Sequence, residues 1–227
     1  MVILMIAIAI DGPAGAGKSS VARGIAKELG YIYVDTGALY RTIGLYAMRM
    51  KTDLENNAAV DEMLQGITVE LKFIEGEQRV FLNGADVSPL IRTSEISMMA
   101  SRVSALPQVR AFLLELQREL ARKNNVIMDG RDIGTVVLPD AKIKLFLTAS
   151  PECRADRRCR ELAQKGEPAD LQQVLAEIKQ RDYNDSHRAI APLKPAEDAQ
   201  VVDNSNLSLE ESVSAMTALI RKRLATV

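Results

Sequence analysis

The chain has 227 residues, with 29 Lys and Arg against 30 Asp and Glu and a formal net charge of −1. At about 150 residues per domain that length suggests one domain with an insertion, or one plus a small second domain. The charge balance lacks the surplus of a dedicated nucleic-acid-binding domain, and a hydrophobic content of 47% excludes wholesale disorder.

Two cysteines, Cys153 and Cys159, are too few for a disulfide scaffold or a four-cysteine zinc site. They read as free thiols of a reducing cytosol, on different faces of one helix. The chain opens on MVILMIAIAI. Such a run is half of the roughly 20 residues that cross a bilayer, and no basic stretch or cleavage site accompanies it. Ended by Asp11-Gly12-Pro13, it reads as a fully buried strand in a soluble, intracellular protein.

A helix from about Lys18 to Leu29 follows, stopped by Gly30, then a second strand over Tyr31 to Val34. Thr36 and Tyr40 open the next helix, with Tyr40 read as a packing residue. From Ile67 to Phe73 apolar residues alternate with Thr68, Glu70 and Lys72. A Glu-Gly-Glu turn, Arg79 to Leu82 and then Asn83-Gly84 complete a hairpin signature, so a small antiparallel sheet is inserted here. A helix begins near Pro107, with Phe112, Leu113, Leu116 and Leu120 as its core face. Periodicity puts Arg110 on the solvated side.

Val126 to Met128, Ile143 to Leu147 and Gln200 to Val202 are further short apolar runs. With intervening helices they make a five-stranded parallel α/β sheet covered on both faces. Ser150-Pro151 starts a helix on which Arg154, Arg157 and Arg158 share a face, beside Asp156 and Glu161. Asp170 caps a helix from Leu171 to Ala189, whose inward face passes from Leu171, Val174, Leu175 and Ile178 to Arg181, Asp185 and Arg188. Arg181 and Asp185 can pair there, leaving Arg188 unmatched and aimed at a cleft. His187, the only histidine, falls opposite this stripe and reads as a surface residue. Ser208 and Glu211 carry capping-box spacing at the last helix.

Gly12-Pro13-Ala14-Gly15-Ala16-Gly17-Lys18-Ser19 fits G-x-x-x-x-G-K-[ST], between a buried strand and a helix as that motif requires. Glycines let successive N–H groups face one anion, and the helix N-terminus adds its positive end. Lys18 can reach the β- and γ-phosphates and the Ser19 hydroxyl can ligate Mg²⁺. This is a nucleoside-triphosphate site. The chain lacks the Asn-Lys-x-Asp of a guanine reader. Asp129, at the end of the third strand in sequence order, sits in a Walker-B-like place. Arg131 would face the same crevice. A second positive charge beside Lys18 favours a small phosphorylated acceptor.

The stretches Asp11 to Ser20, DTGALYR from Asp35 to Arg41, SRVSALPQVR from Ser101 to Arg110, and DGRDIGTVVLPD from Asp129 to Asp140 together resemble the bacterial cytidylate kinase family of nucleoside monophosphate kinases. So do Arg154 to Arg158, Arg181 to Arg188 and Ala191-Pro192-Leu193. Fold and function follow as expectations. The resemblance implies one phosphate-loop kinase domain over residues 1–227, with an acceptor-binding insertion at about 60–105 and a helical lid at about 151–170. It implies transfer of the γ-phosphoryl group of ATP to CMP or dCMP with Mg²⁺, in a cytoplasmic monomer without nucleic-acid or membrane partners.

By the same resemblance Gly12, Pro13, Ala14, Gly15, Ala16, Gly17, Lys18, Ser19 and Ser20 hold ATP, with Arg154, Arg157 and Arg158 closing over it from the lid. Some members have Ser where Ala14 stands. Arg41 and Arg131 hold the acceptor phosphate. Ser101, Arg110 and Asp132 read the cytosine with Arg188 close by, Thr36 belongs to the CMP set, and Arg181 and Asp185 lie near the sugar and the transferring group. Lys18, Arg131 and Arg181 carry the catalysis. UMP, AMP or shikimate as acceptor, or an ATP-gated regulatory module, stand as the rivals.

Overall fold

An apolar strand without polar alternation must be covered on both faces, and the opening strand is. The computed structural model describes residues 5–164 and 166–225. Residues 1–4 of the apolar run, residue 165 of the expected lid and residues 226–227 lie outside the described residues. The first elements are β1 (Ala7–Asp11), α1 (Lys18–Leu29), β2 (Ile32–Asp35), α2 (Thr36–Met50), α3 (Asn57–Gln65), β3 (Val69–Ile74), β4 (Glu77–Leu82), β5 (Ala85–Asp86), α4 (Ser94–Val103) and α5 (Pro107–Lys123). There follow β6 (Val126–Gly130), a π-helical turn at Ile133–Val137, β7 (Ile143–Thr148), α6 (Pro151–Gln164), α7 (Leu171–Ser186), β8 (Gln200–Asp203) and α8 (Leu209–Leu224).

The chain divides into two compact units, Met1–Tyr33 with Asn124–Val227, and Val34–Lys123. The first is built on the expected parallel sheet, in the order β2-β6-β1-β7-β8. Its central strand pairs Ala7 with Val126 through to Asp11 with Gly130 on one side, and Ile8 with Ile143 through to Asp11 with Phe146 on the other. This register brings the carboxyl ends of β1, β6 and β7 level, where ligands of open α/β sheets bind. Ile8, Ile10, Ile127, Ile143, Leu145 and Leu147 pack against Val21 and Ile25 of α1 and Met216 and Ile220 of α8. The capping box at Ser208 and Glu211 is formed in both directions.

The second unit holds the antiparallel sheet β3-β4-β5 and the helices α2 to α5. The Asn83-Gly84 turn has positive φ at both residues, 50° and 80°, as the two-residue hairpin requires. The core is apolar, with Leu39, Ile43, Val60, Val80, Ile91, Val103, Val109 and Leu113 among its members.

Two sequence expectations are corrected here. The core face of α5 is Val109, Leu113, Gln117 and Ala121, with Phe112 and Leu116 only partly buried, so the helix is turned and Arg110 is buried, at 8% exposure. The helix from Leu171 ends at Ser186, not Ala189. His187 closes it, and Ala191 at φ 51° turns the chain so that the Leu193 N–H returns to the Asp185 carbonyl at 2.8 Å.

Candidate active site

Gly12 leaves β1 with its backbone against β7: a Cβ built there would lie 1.9 Å from the Leu147 carbonyl oxygen, so no side chain fits. The loop then enters α1 at Lys18, whose ammonium is buried and donates to the Pro13 carbonyl at 2.7 Å. Burial pushes the Lys18 pKa well below its ordinary value, and Arg131 pushes it the same way against the pull of Asp129 and Asp11. A cation desolvated next to another cation is poised for a polyanion. Ser19 Oγ donates to Asp129 Oδ2 at 2.9 Å, and the Tyr33 hydroxyl fixes the other carboxylate oxygen at 3.0 Å. The hydroxyl of the loop and the acid at the end of β6 are thus brought together.

Asp11 was missed by the sequence reading. Its carboxylate accepts the N–H groups of Ile133 and Gly134, each at 2.7 Å, and so sets the start of the turn that follows Asp132. Burial pushes its pKa up to about 6, although those two N–H groups act in the opposite direction. The available signal was an acid at the mouth of a buried apolar strand.

The inward face of α7 changes from Val174 and Ile178 to charge, as its periodicity implies. Asp185 is 1% exposed. It accepts Arg131 Nε at 2.9 Å and is paired by Arg188. The expectation that Arg188 is unmatched is therefore corrected: the helix stops early, and the chain folds Arg188 back onto the buried carboxylate. Burial alone would raise the Asp185 pKa; Arg131, Arg188 and Arg181 outweigh it and hold the group below its usual value. Arg131 and Arg181 both act on Lys18 as well, so Lys18, Arg131, Arg181 and Asp185 form one electrostatic group. Asp132, 4% exposed, stands at the head of the π-helical turn, and its charge reaches Asp11.

The three arginines of α6 are not one solvated face. Arg154, 3% exposed, donates from Nε to the Ala149 carbonyl, from Nη1 to Ala14, and from both terminal nitrogens to Asp182. Arg157 spans the Asn204 side chain and carbonyl. Arg158 pairs with Glu161 at 3.0 Å. Asn204 and Asp182 were also missed, and contacts across 28 to 188 residues leave no periodic trace.

In the second unit, Asp35 caps α2 by accepting the Ala38 N–H at 2.9 Å, pairs with Arg41 at 2.8 Å and draws Arg92 to 3.7 Å. Thr36 beside it is buried. Gln78, unremarked in the sequence, accepts the Asp35 N–H and donates to its carbonyl, a side chain acting as a strand partner. Arg110 lies over the Tyr40 ring at 5.8 Å and donates to the Ser104 carbonyl, and the Ser104 hydroxyl donates to the carbonyl of Ser101. His187 is exposed and stacks on Tyr183, the surface position its helical angle implies. Both cysteines are free thiols. Among the described residues no helix is long and apolar enough to cross a membrane.

A family model described as cytidylate kinase matches residues 8–222. The cytidylate kinase of Caldicellulosiruptor bescii is 50% identical over 215 residues, which cover 95% of each chain. That of Lactobacillus gasseri is 50% identical over 216 residues, covering 95% of this chain and 94% of its own. That of Bacillus cereus strain B4264 is 48% identical over 215 residues, covering 95% and 96%.

Proposed function

We propose, for a chain that belongs to the cytidylate kinase family, that it transfers the γ-phosphoryl group of ATP to CMP or dCMP, releasing ADP and CDP or dCDP. The observation that carries this reading is the group at the carboxyl ends of the first unit's strands. There a buried Lys18 feels the charges of Arg131 and Arg181, and the Ser19 hydroxyl donates to Asp129 at 2.9 Å. Such a site concentrates positive charge where a triphosphate must be bound and a phosphoryl group stabilised.

Phosphoryl transfer asks mostly for positioning and charge stabilisation. In this proposal the backbone N–H groups from Ala14 to Ser20 cradle the donor phosphates. Lys18 leaves the Pro13 carbonyl for the β- and γ-oxygens, and Arg131 and Arg181 offset charge spread over the transferred group. Asp185 keeps Arg131 and Arg188 oriented while offering an oxygen to the sugar. Asp132 accepts from the exocyclic amine of cytosine, a donor uracil lacks, with Ser101, Arg110 and Arg188 as further base contacts. A mispaired buried polar group costs about 1–3 kcal/mol, roughly ten- to a hundredfold per contact. Arg41, with Thr36 beside it, is the proposed acceptor-phosphate ligand of the second unit, and its buried Nε has no hydrogen-bond partner among the described residues.

Ser19 Oγ and Asp129 Oδ2, 2.9 Å apart, are hard oxygen donors suited to Mg²⁺. Among the described residues no group of three or more His, Cys, Asp or Glu could hold a metal ion. This fits an ion that keeps waters and phosphate oxygens as its other ligands. When bound, Mg²⁺ would neutralise charge on the β- and γ-oxygens. The reading carries with it a monomer of the cytoplasm without a nucleic-acid partner, and the net charge of −1 is without the basic surplus that nucleic-acid binding favours. Phosphorus NMR of a mixture of ATP, CMP and Mg²⁺ tests it. CDP and ADP should accumulate in equal amounts, and inorganic phosphate without CDP would contradict the proposal.

A further inference from the structure

A phosphate loop works only while its N–H groups face the anion. A peptide unit that flips carries its carbonyl oxygen to where the N–H pointed, and attraction becomes repulsion. Flipping rotates ψ of one residue and φ of the next together, so it meets little steric resistance where the next residue is glycine. Two peptides inside this loop are of that kind, Ala14–Gly15 and Ala16–Gly17, with Gly15 at φ 76° and Gly17 at φ 84°. The peptide before Gly12 belongs to the sheet, where Asp11 is paired on both sides. The Pro13–Ala14 peptide precedes a residue with a side chain.

Among the described residues, the carbonyls of these two peptides are held from outside the loop. Ala14 O accepts from Arg154 Nη1 at 3.0 Å, and Ala16 O accepts from Asn204 Nδ2 at 3.1 Å. Each holder is itself fixed. Arg154 is 3% exposed and anchored by the Ala149 carbonyl at 2.9 Å and by both oxygens of Asp182. Asn204 is 2% exposed; its Oδ1 accepts from Arg157 Nη1 at 3.2 Å and its carbonyl from Nη2 at 2.8 Å, while its N–H donates to Thr148. The Pro13 carbonyl is held by Lys18 from within the loop, at 2.7 Å. That peptide needs no external holder, so Lys18 can leave it for phosphate.

We infer that Arg154 and Asn204 are positioning residues that latch the two flippable peptides of the phosphate loop, and that Asp182 and Arg157 hold the latches. This rests on the phosphate reading of the loop and changes what α6 does within it. Arg154 and Arg157 act on the nucleotide through the loop backbone, because their guanidinium groups are already committed to protein acceptors.

Asp182 gives a test by sign. As a negative charge beside an anion site, its neutralisation should tighten nucleotide binding if charge alone mattered. If it holds a latch, neutralisation weakens binding. MgADP is titrated calorimetrically onto the parent, Asp182→Asn and the near-isosteric, uncharged Asn204→Leu, with CMP kinetics and thermal melting alongside.

Asp182→Asn should weaken MgADP by about threefold and Asn204→Leu by about tenfold, the range that one lost hydrogen bond spans. The KM for CMP should stay within about twofold of the parent in both, and the Tm of Asp182→Asn within about 3 °C. Unchanged or tighter MgADP binding by Asp182→Asn would overturn the latch. So would equal weakening of MgADP and CMP together with a fall in Tm. Should the buried Asn204→Leu fail to fold, Asp182→Asn decides alone. A parent that binds no MgADP would overturn the phosphate reading beneath the latches, and the latches with it.

Discussion

Among the described residues, the first unit buries seven ionisable side chains (Asp11, Lys18, Asp129, Asp132, Lys144, Arg154 and Asp185), whereas the second buries Asp35 and Arg110. The second unit's core is otherwise a continuous apolar cluster from Ala38 to Leu113. Buried charge is costly unless paired and hydrogen-bonded. The first unit meets that cost with a dense network of ion pairs, Asp185 with Arg131 and Arg188, Arg154 with Asp182, and Lys144 with Asp198. Buried ionisable groups therefore gather in the unit that carries the phosphate-loop motif, where the proposed transfer chemistry falls, while the other unit is built mainly on apolar packing.

The comparison breaks most directly at Lys18. Lys18→Ala should lower kcat on the order of a hundredfold, the effect of removing one preorganised donor. Its melting temperature should hold, because burial already disfavours the ammonium. Activity within about threefold of the parent would remove Lys18 from the site.

Asp185 should behave differently, since in the proposed site it serves both function and fold. Asp185→Ala leaves Arg131 and Arg188 without their shared carboxylate, and should cost about 3 kcal/mol of stability besides lowering kcat/KM for CMP about tenfold. Arg188→Ala leaves Asp185 still paired with Arg131, and should show the same kinetic loss with about 1 kcal/mol or less of stability. Chemical denaturation with initial rates separates the two, and equal stability losses would contradict the assignment of Asp185 as the buried hub.

The second unit offers the converse case. Leu113→Ala, at a fully buried position, should cost about 2–5 kcal/mol and leave MgADP affinity within about twofold of the parent. A matching loss of nucleotide affinity would erase the contrast between the units.

The smallest effect sharpens the electrostatics. Asp11, pushed up to about 6 from 3.8, binds its proton more readily folded than unfolded. Its contribution to stability is therefore greatest below about pH 4 and is lost as pH rises through 6. Asp185, held below its usual value, contributes above the unfolded carboxylate pKa and loses that contribution as pH falls. Carbon NMR of the Asp11 carboxyl should give a midpoint near 6, and a midpoint near 4 would show that its two N–H donors dominate burial.

The strand–loop–helix motif, the helix limits Lys18–Leu29, the inserted hairpins and the Ser208 box were legible in sequence because each is set by residues within a few positions of one another. Asp129 was legible by its place at a strand end. Arg110 was misplaced because α5 carries apolar residues on two faces, and only packing decides that Val109 and Leu113 face inward rather than Phe112 and Leu116. Arg188 was misplaced by one turn of helix, since nothing local marks His187 as the end of α7. Asn204, Asp182 and Gln78 act on backbone or charge 28 to 188 residues away, and no spacing rule reaches that far.

In the proposed function, Lys18, Arg131 and Arg181 of the first unit serve transfer to a cytidine monophosphate. The most direct measurement is the initial rate of ADP formation from MgATP with CMP, dCMP, UMP, AMP and shikimate, each supplied alone. CMP and dCMP should be the fastest acceptors, with UMP roughly ten- to a hundredfold slower for want of the amine that Asp132 would accept. ADP release that does not depend on any acceptor, or a faster rate with AMP or shikimate, would contradict the proposal.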